Sequence, residues 1–295
     1  MLDPRRLRLL RDLSRLGTIA AVAELRGYTA SAVSQQLSTL EREAGAPLLE
    51  RTGRRVRLTA SGEALAAASD DVLEALERAE AAVAATRAAP TGRLRIGAFP
   101  TAVRTLLPAA LVRLGERHPG LELHVVELDP AHVPAALRED RIDVGLVQDY
   151  DVVPGTAARG VASVPLCVER VHLASHGPAA RGVDDVRDEP WILAGPGTLC
   201  RAVAEHLCRA AGYTPRERHV VDDFTTVLAL VAAGQGVAIV PELAAASVPA
   251  GVRLDPVATT RRTRVAHRAG AGRRPDVRAF TEALRESAAA ALGGA

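Results

Sequence analysis

The fold is decided near the N-terminus by residues 29–45, TASAVSQQLSTLEREAG, where apolar residues recur with the period of an α-helix. The apolar members form one stripe for burial: Val33, Leu37, Leu40 and Ala44. Neutral hydrogen-bonding residues share the opposite face: Ser31, Ser34, Gln35 and Ser38. A merely solvated helix face is usually filled with Lys, Glu and Arg, whereas hydroxyls and carboxamides can pair with base edges in the DNA major groove. This stretch therefore predicts a recognition helix.

Two shorter helices are predicted before it. Residues 4–16 carry leucines on one side and basic residues on the other, which favours an amphipathic helix. Thr18 is a suitable N-cap for a short second helix over residues 19–26, and a glycine closes that helix. The recognition helix then starts at Thr29 or Ala30. Two helices that meet through a short glycine-containing turn have the spacing of a helix-turn-helix motif.

Residues 49–59, LERTGRRVRLT, predict two short strands around a turn, which is the pattern of a β-wing. Guanidinium groups on such a wing would lie along the phosphate backbone, and one at its tip could enter the minor groove. The wing should therefore position the protein, and the helix should specify the sequence. The predicted DNA-contacting residues are Ser31, Ser34, Gln35, Ser38, Thr39, Arg42, Arg51, Arg54, Arg55 and Arg57.

These segments resemble the LysR-type transcriptional regulators. GTIAAVA at 17–23 resembles that family's second helix, AVSQQLSTLE at 32–41 its recognition helix, and PLLERTGRRVRLTASG at 47–62 its wing and the start of the next helix. Ala30 replaces a glutamine that is common just before the recognition helix, and Leu49 replaces a usual phenylalanine. The resemblance implies a ligand-responsive, sequence-specific DNA-binding regulator of transcription.

The charge distribution agrees with a DNA-binding N-terminus. The formal net charge of the 295 residues is only +2. Residues 1–62 hold 11 arginines against 6 acidic residues, whereas residues 63–88 hold 2 against 6. The basic excess therefore lies on the segment that is predicted to meet the polyanion.

A long amphipathic helix is predicted from Ala60 to about Arg87, a stretch without proline. Its stripe contains Leu65, Ala68, Val72, Ala75, Ala79 and Ala82, widened by Leu76 and Val83. Small residues let a twin helix approach closely, so the expected partner is a second copy, packed parallel or antiparallel. The alternative is a helix that packs on its own domain. The predicted dimerisation residues are Leu65, Val72, Leu76 and Val83.

After a Pro-Thr-Gly linker at 90–92, strand and helix patterns alternate, which predicts a parallel-rich α/β sheet. Strands are predicted over 94–99, 121–128, 143–148, 168–174, 191–194, 237–240 and 263–269, and helices over 106–117, 133–139, 200–211, 225–233 and 275–292. The LysR resemblance implies two α/β lobes like those of periplasmic binding proteins. The expected domains are a winged helix-turn-helix (1–62), a linker and dimerisation helix (63–89), and an effector-binding domain (90–295). Its expected lobes are 90–163 with 266–295, and 164–265.

Ligands of open α/β sheets bind beyond the carboxyl ends of the strands. Thr101 follows the first strand of the domain and would offer a hydroxyl beside free backbone N–H groups, which suits a carboxylate or another anion. Residues 195–199 make a similar strand-to-helix entry. The alternative for each candidate is an ordinary cap or turn residue. The predicted effector-binding residues are Pro100, Thr101, Ala102, Gln148, Thr198, Arg201, Phe224 and Thr225.

Cys200 and Cys208 raise a redox alternative, because peroxide-sensing members of the resembled family use a cysteine pair in this part of the chain. The register differs by one residue, since alignment of Cys208 with the second sensor cysteine puts Leu199 at the reactive position. The competing interpretation is two partly buried thiols on one helix.

Other function classes have little support in the sequence. The eight histidines lack metal-ligand spacing, and no Ser/His/Asp or Cys/His set has a strong local signature, so we expect no metal, no cofactor and no catalysis. No apolar run is long enough for a membrane span or a signal peptide, so a cytoplasmic protein is expected. The rivals are a small-molecule binding protein or enzyme with a fused DNA-binding module, and an architectural DNA-binding protein. The expected partners are promoter DNA, a small effector, and further copies in a homodimer or homotetramer.

Overall fold

A computed structural model of the chain describes residues 1–52, 55–86, 89–155, 158–177, 179 and 181–293, without the side chains of residues 51, 52 and 55. The chain divides into two compact units. The first is Met1–Thr86 with the short segment Arg268–Arg273, and the second contains the remaining described residues. Among the described helices, none combines the length and the apolar character needed to cross a bilayer.

The first unit opens with three helices: α1 (Pro4–Leu16), α2 (Ile19–Arg26) and α3 (Ala30–Ala44). Each N-terminus is capped by a side-chain oxygen, from Asp3, Thr18 and Thr29 respectively, which satisfies a backbone N–H that the helix leaves unpaired. Each C-terminus ends at a glycine in the left-handed region. The predicted bounds of the three helices and the Thr18 cap are confirmed here, whereas the Asp3 cap was not predicted. The apolar faces of the three helices share one core, which includes Leu10, Val22 and Leu37.

The predicted wing is formed by β1 (Leu49–Thr52) and β2 (Arg55–Leu58), which pair antiparallel. Glu41 of α3 fixes the entry to β1, because its Oε1 accepts hydrogen bonds from the backbone N–H groups of Leu48 and Leu49 at 2.9 and 3.0 Å. Gly62 fixes the path from β2 into the next helix, since a Cβ at this position would clash with the Leu48 carbonyl oxygen. The wing is thus tied to the recognition helix at its base.

The long helix α4 (Ala60–Ala84) follows, capped by Thr59. It buries Ala66, Ser69 and Leu73, and part of this face packs against α1. The helix ends three residues earlier than predicted, and residues 87 and 88 lie outside the described residues.

The second unit is built on a six-stranded sheet with the order β4-β3-β5-β10-β6-β9. Its strands are β3 (Gly92–Ala98), β4 (Leu121–Glu127), β5 (Val144–Tyr150), β6 (Val161–His176), β9 (Ala238–Pro241) and β10 (Val252–Arg268). β3 runs parallel to β4 and β5, whereas β10 runs antiparallel to β5. A second, parallel pair is formed by β7 (Pro190–Leu193) and β8 (Arg216–Val220).

The helices of this unit are α5 (Pro100–Thr105), α6 (Leu107–Arg117), α7 (Val133–Arg138), α8 (Leu199–Ala210), α9 (Phe224–Ala232) and α10 (Pro275–Leu292). Short 3-10 turns occur at Val183–Val186, Glu242–Ala246 and Ala271–Arg273. One apolar core packs α5, α6 and α10 on the sheet, and further cores lie around Trp191 and around Leu228. The two-lobed α/β fold predicted from the sequence is confirmed.

Four elements differ from the sequence prediction. A helix was expected to open at Pro100, but its end at Thr105 was not predicted. Pro108 at the start of α6 separates the two helices, because proline fits only the first turn. β8 was missed because its RERHV sequence is mostly charged and exposed. β6 and β10 are 16 and 17 residues long, far longer than predicted, since prolines and charged residues interrupt their apolar pattern.

Candidate functional site

The outer face of α3 keeps the polar character that its sequence predicts. Val33, Leu37 and Leu40 are fully buried, which turns the opposite side of the helix outward. Ser31, Gln35 and Ser38 are exposed, and Ser34 is half-buried. Thr39 and Arg42 lie on the same helix and are linked by a hydrogen bond of 2.8 Å. The face offers hydroxyl and carboxamide groups beside one guanidinium.

The wing carries the remaining predicted DNA contacts. Arg57 lies on β2 and is exposed. Arg54 lies outside the described residues, and so do the side chains of Arg51 and Arg55. The backbone register of the wing places Arg51 opposite Val56 and Glu50 opposite Arg57.

The predicted dimerisation stripe of α4 is largely exposed in the single chain. Val72, Leu76 and Val83 are 42%, 37% and 66% exposed. Leu65 differs from them, because it is partly buried against the core of its own unit. Three large apolar side chains on one helix face therefore lie uncovered, one to two turns apart.

A buried polar cluster lies in the second unit where β5, β6 and β10 meet. In the antiparallel pairing, Arg261 of β10 lies opposite Tyr150 of β5, and Thr263 lies opposite Gln148. Residues two apart on a strand share a face, so these four side chains lie on one side of the sheet. Glu169 comes from β6, the other neighbour of β10.

Arg261 is the centre of this cluster and is only 1% exposed. Its Nε donates to Glu169 Oε1 at 2.8 Å, and its Nη1 donates to Gln148 Oε1 at 3.2 Å. Nη2 lies 2.8 Å from the same Glu169 oxygen but makes no hydrogen bond. The guanidinium carbon lies 5.1 Å from the centre of the Phe99 ring. Burial alone would lower the pKa of Arg261, yet the Glu169 carboxylate raises it, so the guanidinium stays charged.

Cys200, at the start of α8, borders the cluster. Its Sγ lies 3.5 Å from the Tyr150 hydroxyl and 3.8 Å from Gln148 Nε2. Burial raises the pKa of the Cys200 thiol and, to a larger extent, that of the Tyr150 hydroxyl. Burial also raises the pKa of Cys208, and it raises that of Cys167 to about 11. All three thiols are therefore held in the protonated, weakly nucleophilic form.

The structure connects some predicted effector residues with this cluster. Gln148 bonds to it directly, Pro100 to Ala102 follow the Phe99 ring, and Thr198 caps the helix that carries Cys200. Thr101 and Ala102 are buried.

Other predicted residues are occupied elsewhere. Arg201 pairs with Glu205 and Glu217 at 2.7 and 2.6 Å, so its charge is already compensated. Phe224 packs against the apolar core around Leu228, and Thr225 is exposed.

An ion pair joins two further elements near these residues. Arg104 of α5 donates from Nη1 to Asp223 Oδ2 at 2.8 Å. Asp223 is also the N-cap of α9, where its Oδ1 accepts from the Thr226 N–H at 2.9 Å. Burial alone would raise the pKa of Asp223, but Arg104 and the Thr226 bonds lower it.

Arg261, Glu169 and Tyr150 were missed by sequence reasoning. A signal exists in β10, where Thr259, Arg261, Thr263 and Val265 alternate with more exposed residues. Extending the strand backwards by period two from Val265 would have placed Arg261 on the buried face. Within the described ranges, no group of three or more His, Cys, Asp or Glu side chains could hold a metal ion.

Comparison with known proteins identifies both units. Residues 4–63 match the bacterial regulatory helix-turn-helix protein of the lysR family, and residues 87–289 match the LysR substrate binding domain. The chain belongs to the LysR family of bacterial transcriptional regulators. It is thus a LysR-type DNA-binding transcriptional regulator, and the family prediction made from the sequence is confirmed.

The regulator is similar to proteins that cover nearly its whole length. It is 32% identical to a probable hydrogen peroxide-inducible genes activator of Streptomyces viridosporus, over 94% of both chains. Corynebacterium glutamicum OxyR, in a C206 mutant, superposes with a TM-score of 0.60 at 25% identity over 99% of this chain and 93% of that one. CbnR, a LysR family transcriptional regulator, superposes with a TM-score of 0.54 at 24% identity over 96% and 100% of the two chains. The matched helix-turn-helix family consists of bacterial regulatory proteins, and CbnR is named as a transcriptional regulator.

Proposed function

We propose that this LysR-type regulator reads promoter DNA with α3 and the wing, and changes its promoter contacts when a small molecule binds beside Arg261. Ligand binding is supported by one observation: Arg261 Nη2 is a buried donor without a hydrogen bond. Nη2 is in an ion pair with Glu169, but a buried N–H without a hydrogen bond still costs free energy. A ligand oxygen at this position would remove that cost.

The proposed ligand is a small molecule with a carboxylate or another anionic oxygen. Arg261 is compensated by Glu169, whose second oxygen accepts from the Leu243 N–H at 2.7 Å. Of the five guanidinium N–H groups, Glu169 and Gln148 accept one each, so donors remain for the ligand, and charge-assisted hydrogen bonds favour an anionic acceptor. Gln148 supplies a neutral polar group beside it.

DNA reading by α3 is supported by the exposure of Ser31, Gln35 and Ser38 together with the basic excess of residues 1–62. Hydroxyls and carboxamides discriminate base edges, whereas the arginines of the wing contact phosphates. The proposed DNA-binding domain is residues 1–62, followed by the linker helix (63–89) and the effector-binding domain (90–295).

The regulator is proposed to act as a homodimer or homotetramer. The exposed apolar stripe of α4, with Val72, Leu76 and Val83, supports a helix-to-helix contact between copies. A symmetric dimer presents two recognition helices to a partly palindromic site. Ligand binding changes promoter contacts only if the ligand prefers one subunit arrangement over another.

The ligand is tested by thermal unfolding of the full-length protein with aliphatic carboxylates, aromatic carboxylates, amino acids and the matching amides. A ligand at one hundred times its Kd stabilises the protein by about 2.7 kcal/mol. We expect stabilisation by a carboxylate, no stabilisation by its amide, and loss of the effect in Gln148→Ala. Gln235→Ala is the matched control, because Gln235 lies beyond the far end of α9. Equal stabilisation by acid and amide would contradict the proposed anion class.

The DNA half is tested by footprinting on a duplex that the protein selects from a random library, with and without the stabilising compound. We expect a protected region that changes in length or spacing when the compound is added. An architectural DNA-binding protein would give a footprint that ignores the compound. Binding indifferent to salt would contradict phosphate contacts.

A peroxide response is the second candidate, since relatives of this regulator are named as hydrogen peroxide-inducible genes activators. Cys200 and Cys208 are eight residues apart on α8, about 12 Å along the helix axis, and a disulfide needs much closer Cα atoms. We expect both thiols to react with peroxide no faster than free cysteine in a trapping assay followed by mass spectrometry. Faster reaction of Cys200 would favour the redox function.

A further inference from the structure

A basic groove lies on the first unit beside the recognition helix. It encloses about 510 Å³ between the start of α1, the end of α2 and the first turns of α3. Its lining includes four arginines, Arg5, Arg6, Arg8 and Arg26, against one acidic residue, Asp3. We call this surface the arginine groove. Four guanidinium groups around one recess favour an anionic partner.

Two of these arginines are held in place by the protein. Arg6 Nε donates to Gln36 Oε1 at 2.8 Å, and its guanidinium also pairs with Glu43. Arg26 Nε donates to Asp12 Oδ2 at 2.7 Å. These ion pairs orient the walls of the groove and compensate part of its charge.

Unlike Arg6 and Arg26, Arg5 is not held in place by an ion pair with any described residue. Arg5 is exposed, and its guanidinium has no hydrogen bond or ion pair within the described parts of the chain. The Asp3 carboxylate, which could have compensated it, accepts instead from the Arg5 backbone N–H at 2.7 Å as the cap of α1. Tyr28, 56% exposed, also lines the groove, so its hydroxyl is available to a partner.

The arginine groove lies beside the base-reading face of α3, and this position indicates which anion it would meet. Ala32 and Gln36 form the α3 wall, and they follow Ser31 and Gln35 by one residue each. One residue turns a helix by about 100°, so the groove lies on the flank of the base-reading face. A helix in the major groove has a sugar-phosphate backbone on either side of it. The flank of α3 therefore faces phosphates when its outer face meets bases.

We propose that the arginine groove binds a backbone phosphate of the DNA duplex that α3 reads, with Arg5 and Tyr28 as donors. The planar guanidinium fork matches phosphate oxygens, and tyrosine hydroxyls commonly donate to the DNA backbone. The contact is independent of base sequence and fixes the register of α3 in the major groove. The proposal rests on the proposed function, because it requires α3 to enter the groove of a duplex.

The test measures binding of the full-length protein to two duplexes, one selected from a random library and one with the same composition in scrambled order. Fluorescence anisotropy is recorded from 50 to 200 mM NaCl. We expect Arg5→Gln to weaken binding to both duplexes by the same factor, about threefold to tenfold. The slope of log K against log salt should fall in magnitude by about 0.9. Tyr28→Phe should weaken both by a smaller common factor without changing the slope.

Arg278→Gln is the matched control, because Arg278 is an exposed arginine on α10 and its loss changes the net charge equally. A slope for Arg5→Gln equal to that of Arg278→Gln would overturn the proposal. Loss restricted to the selected duplex would overturn it as well, since it would indicate a base contact. Unchanged DNA binding with lost thermal stabilisation by inorganic phosphate would assign the groove to a small anion instead.

Failure of the proposed function gives a different pattern. Ser34→Ala should reduce binding to the selected duplex and leave the scrambled duplex unaffected. If Ser34→Ala changes neither, α3 does not read bases. The salt slope of Arg5→Gln on the scrambled duplex still decides whether the arginine groove contacts phosphate.

Discussion

The reading face of α3 and the Arg261 cluster place polar chemistry in opposite environments. On α3, three of the four polar residues are exposed and Ser34 is half-buried, and folding only has to bury the other side of one helix. Around Arg261, the ion pair joins residues 92 positions apart and is completely buried. The first arrangement follows from local periodicity, whereas the second exists only after the sheet has assembled. We therefore expect substitutions on α3 to change DNA binding, and substitutions in the cluster to change stability.

The largest effect is expected from Glu169→Gln. Loss of the Glu169 carboxylate leaves the Arg261 charge buried without a counter-ion. This typically lowers the free energy of unfolding by about 3–5 kcal/mol. Urea unfolding of the full-length protein, followed separately for the two units, should show this loss in the second unit. The matched control is Asp149→Asn, which removes a partner of the neighbouring, more exposed Arg262 at 2.6 Å. That change should cost less than about 1 kcal/mol. Similar losses for both substitutions would break the distinction between buried and surface pairs.

The same contrast explains what the sequence could predict. The bounds of α1, α2 and α3 and their capping residues follow from glycines, side-chain caps and a clear 3.6-residue period, so they were predictable. The site around Arg261 was not, because β10 reads as a run of threonines and arginines. Counting back by two from Val265 places Arg261 on the buried face, but only if the strand is known to extend that far. The pairing of β10 with β5 shows that it does.

Helix α4 combines both environments, since it carries a buried face and an exposed apolar stripe. Leu73 is buried within its own unit, whereas Leu76 is 37% exposed. We expect Leu76→Asp to weaken self-association by about 2–4 kcal/mol, because each dimer would bury two unpaired charges. Unfolding of the first unit should change little. Sedimentation velocity over a range of concentrations measures the association constant.

Arg78→Gln serves as the control for α4, because Arg78 is 56% exposed and bonds to Glu74, one turn away on the same helix, at 2.6 Å. Self-association of this variant should match that of the unchanged protein. If Leu76→Asp leaves the association constant unchanged, copies do not meet through this stripe.

A third prediction distinguishes base contacts made by α3 from phosphate contacts made by the wing. Ser34→Ala or Gln35→Ala should cost about 1–3 kcal/mol on the selected duplex and nothing on a scrambled one, since each removes a base contact. Arg57→Gln should weaken binding to both duplexes and reduce the salt slope, because it removes a phosphate contact. Arg54→Ala and Arg55→Ala should behave as Arg57→Gln does. Equal losses of specificity from helix and wing would contradict this division.

The smallest expected effect concerns the ion pair between Arg104 and Asp223, whose side chains are 45% and 40% exposed. Asn is as good an N-cap as Asp, so Asp223→Asn should keep the cap of α9 and remove only the ion pair. We expect a loss of less than about 1 kcal/mol at neutral pH, because solvent screens the pair.

The pH dependence identifies the charge as the cause of that loss. The pKa of Asp223 is lower in the folded protein than its ordinary value of 3.8. The stabilisation is therefore present above pH 3.8 and disappears as the pH falls through the folded pKa. Urea unfolding should give different free energies for the unchanged protein and Asp223→Asn at pH 7, and converging values towards pH 3. A difference that persists at pH 3 would mean that the substitution disturbs the cap. In that case the stability difference would come from the hydrogen bonds that cap α9 and not from the ion pair with Arg104.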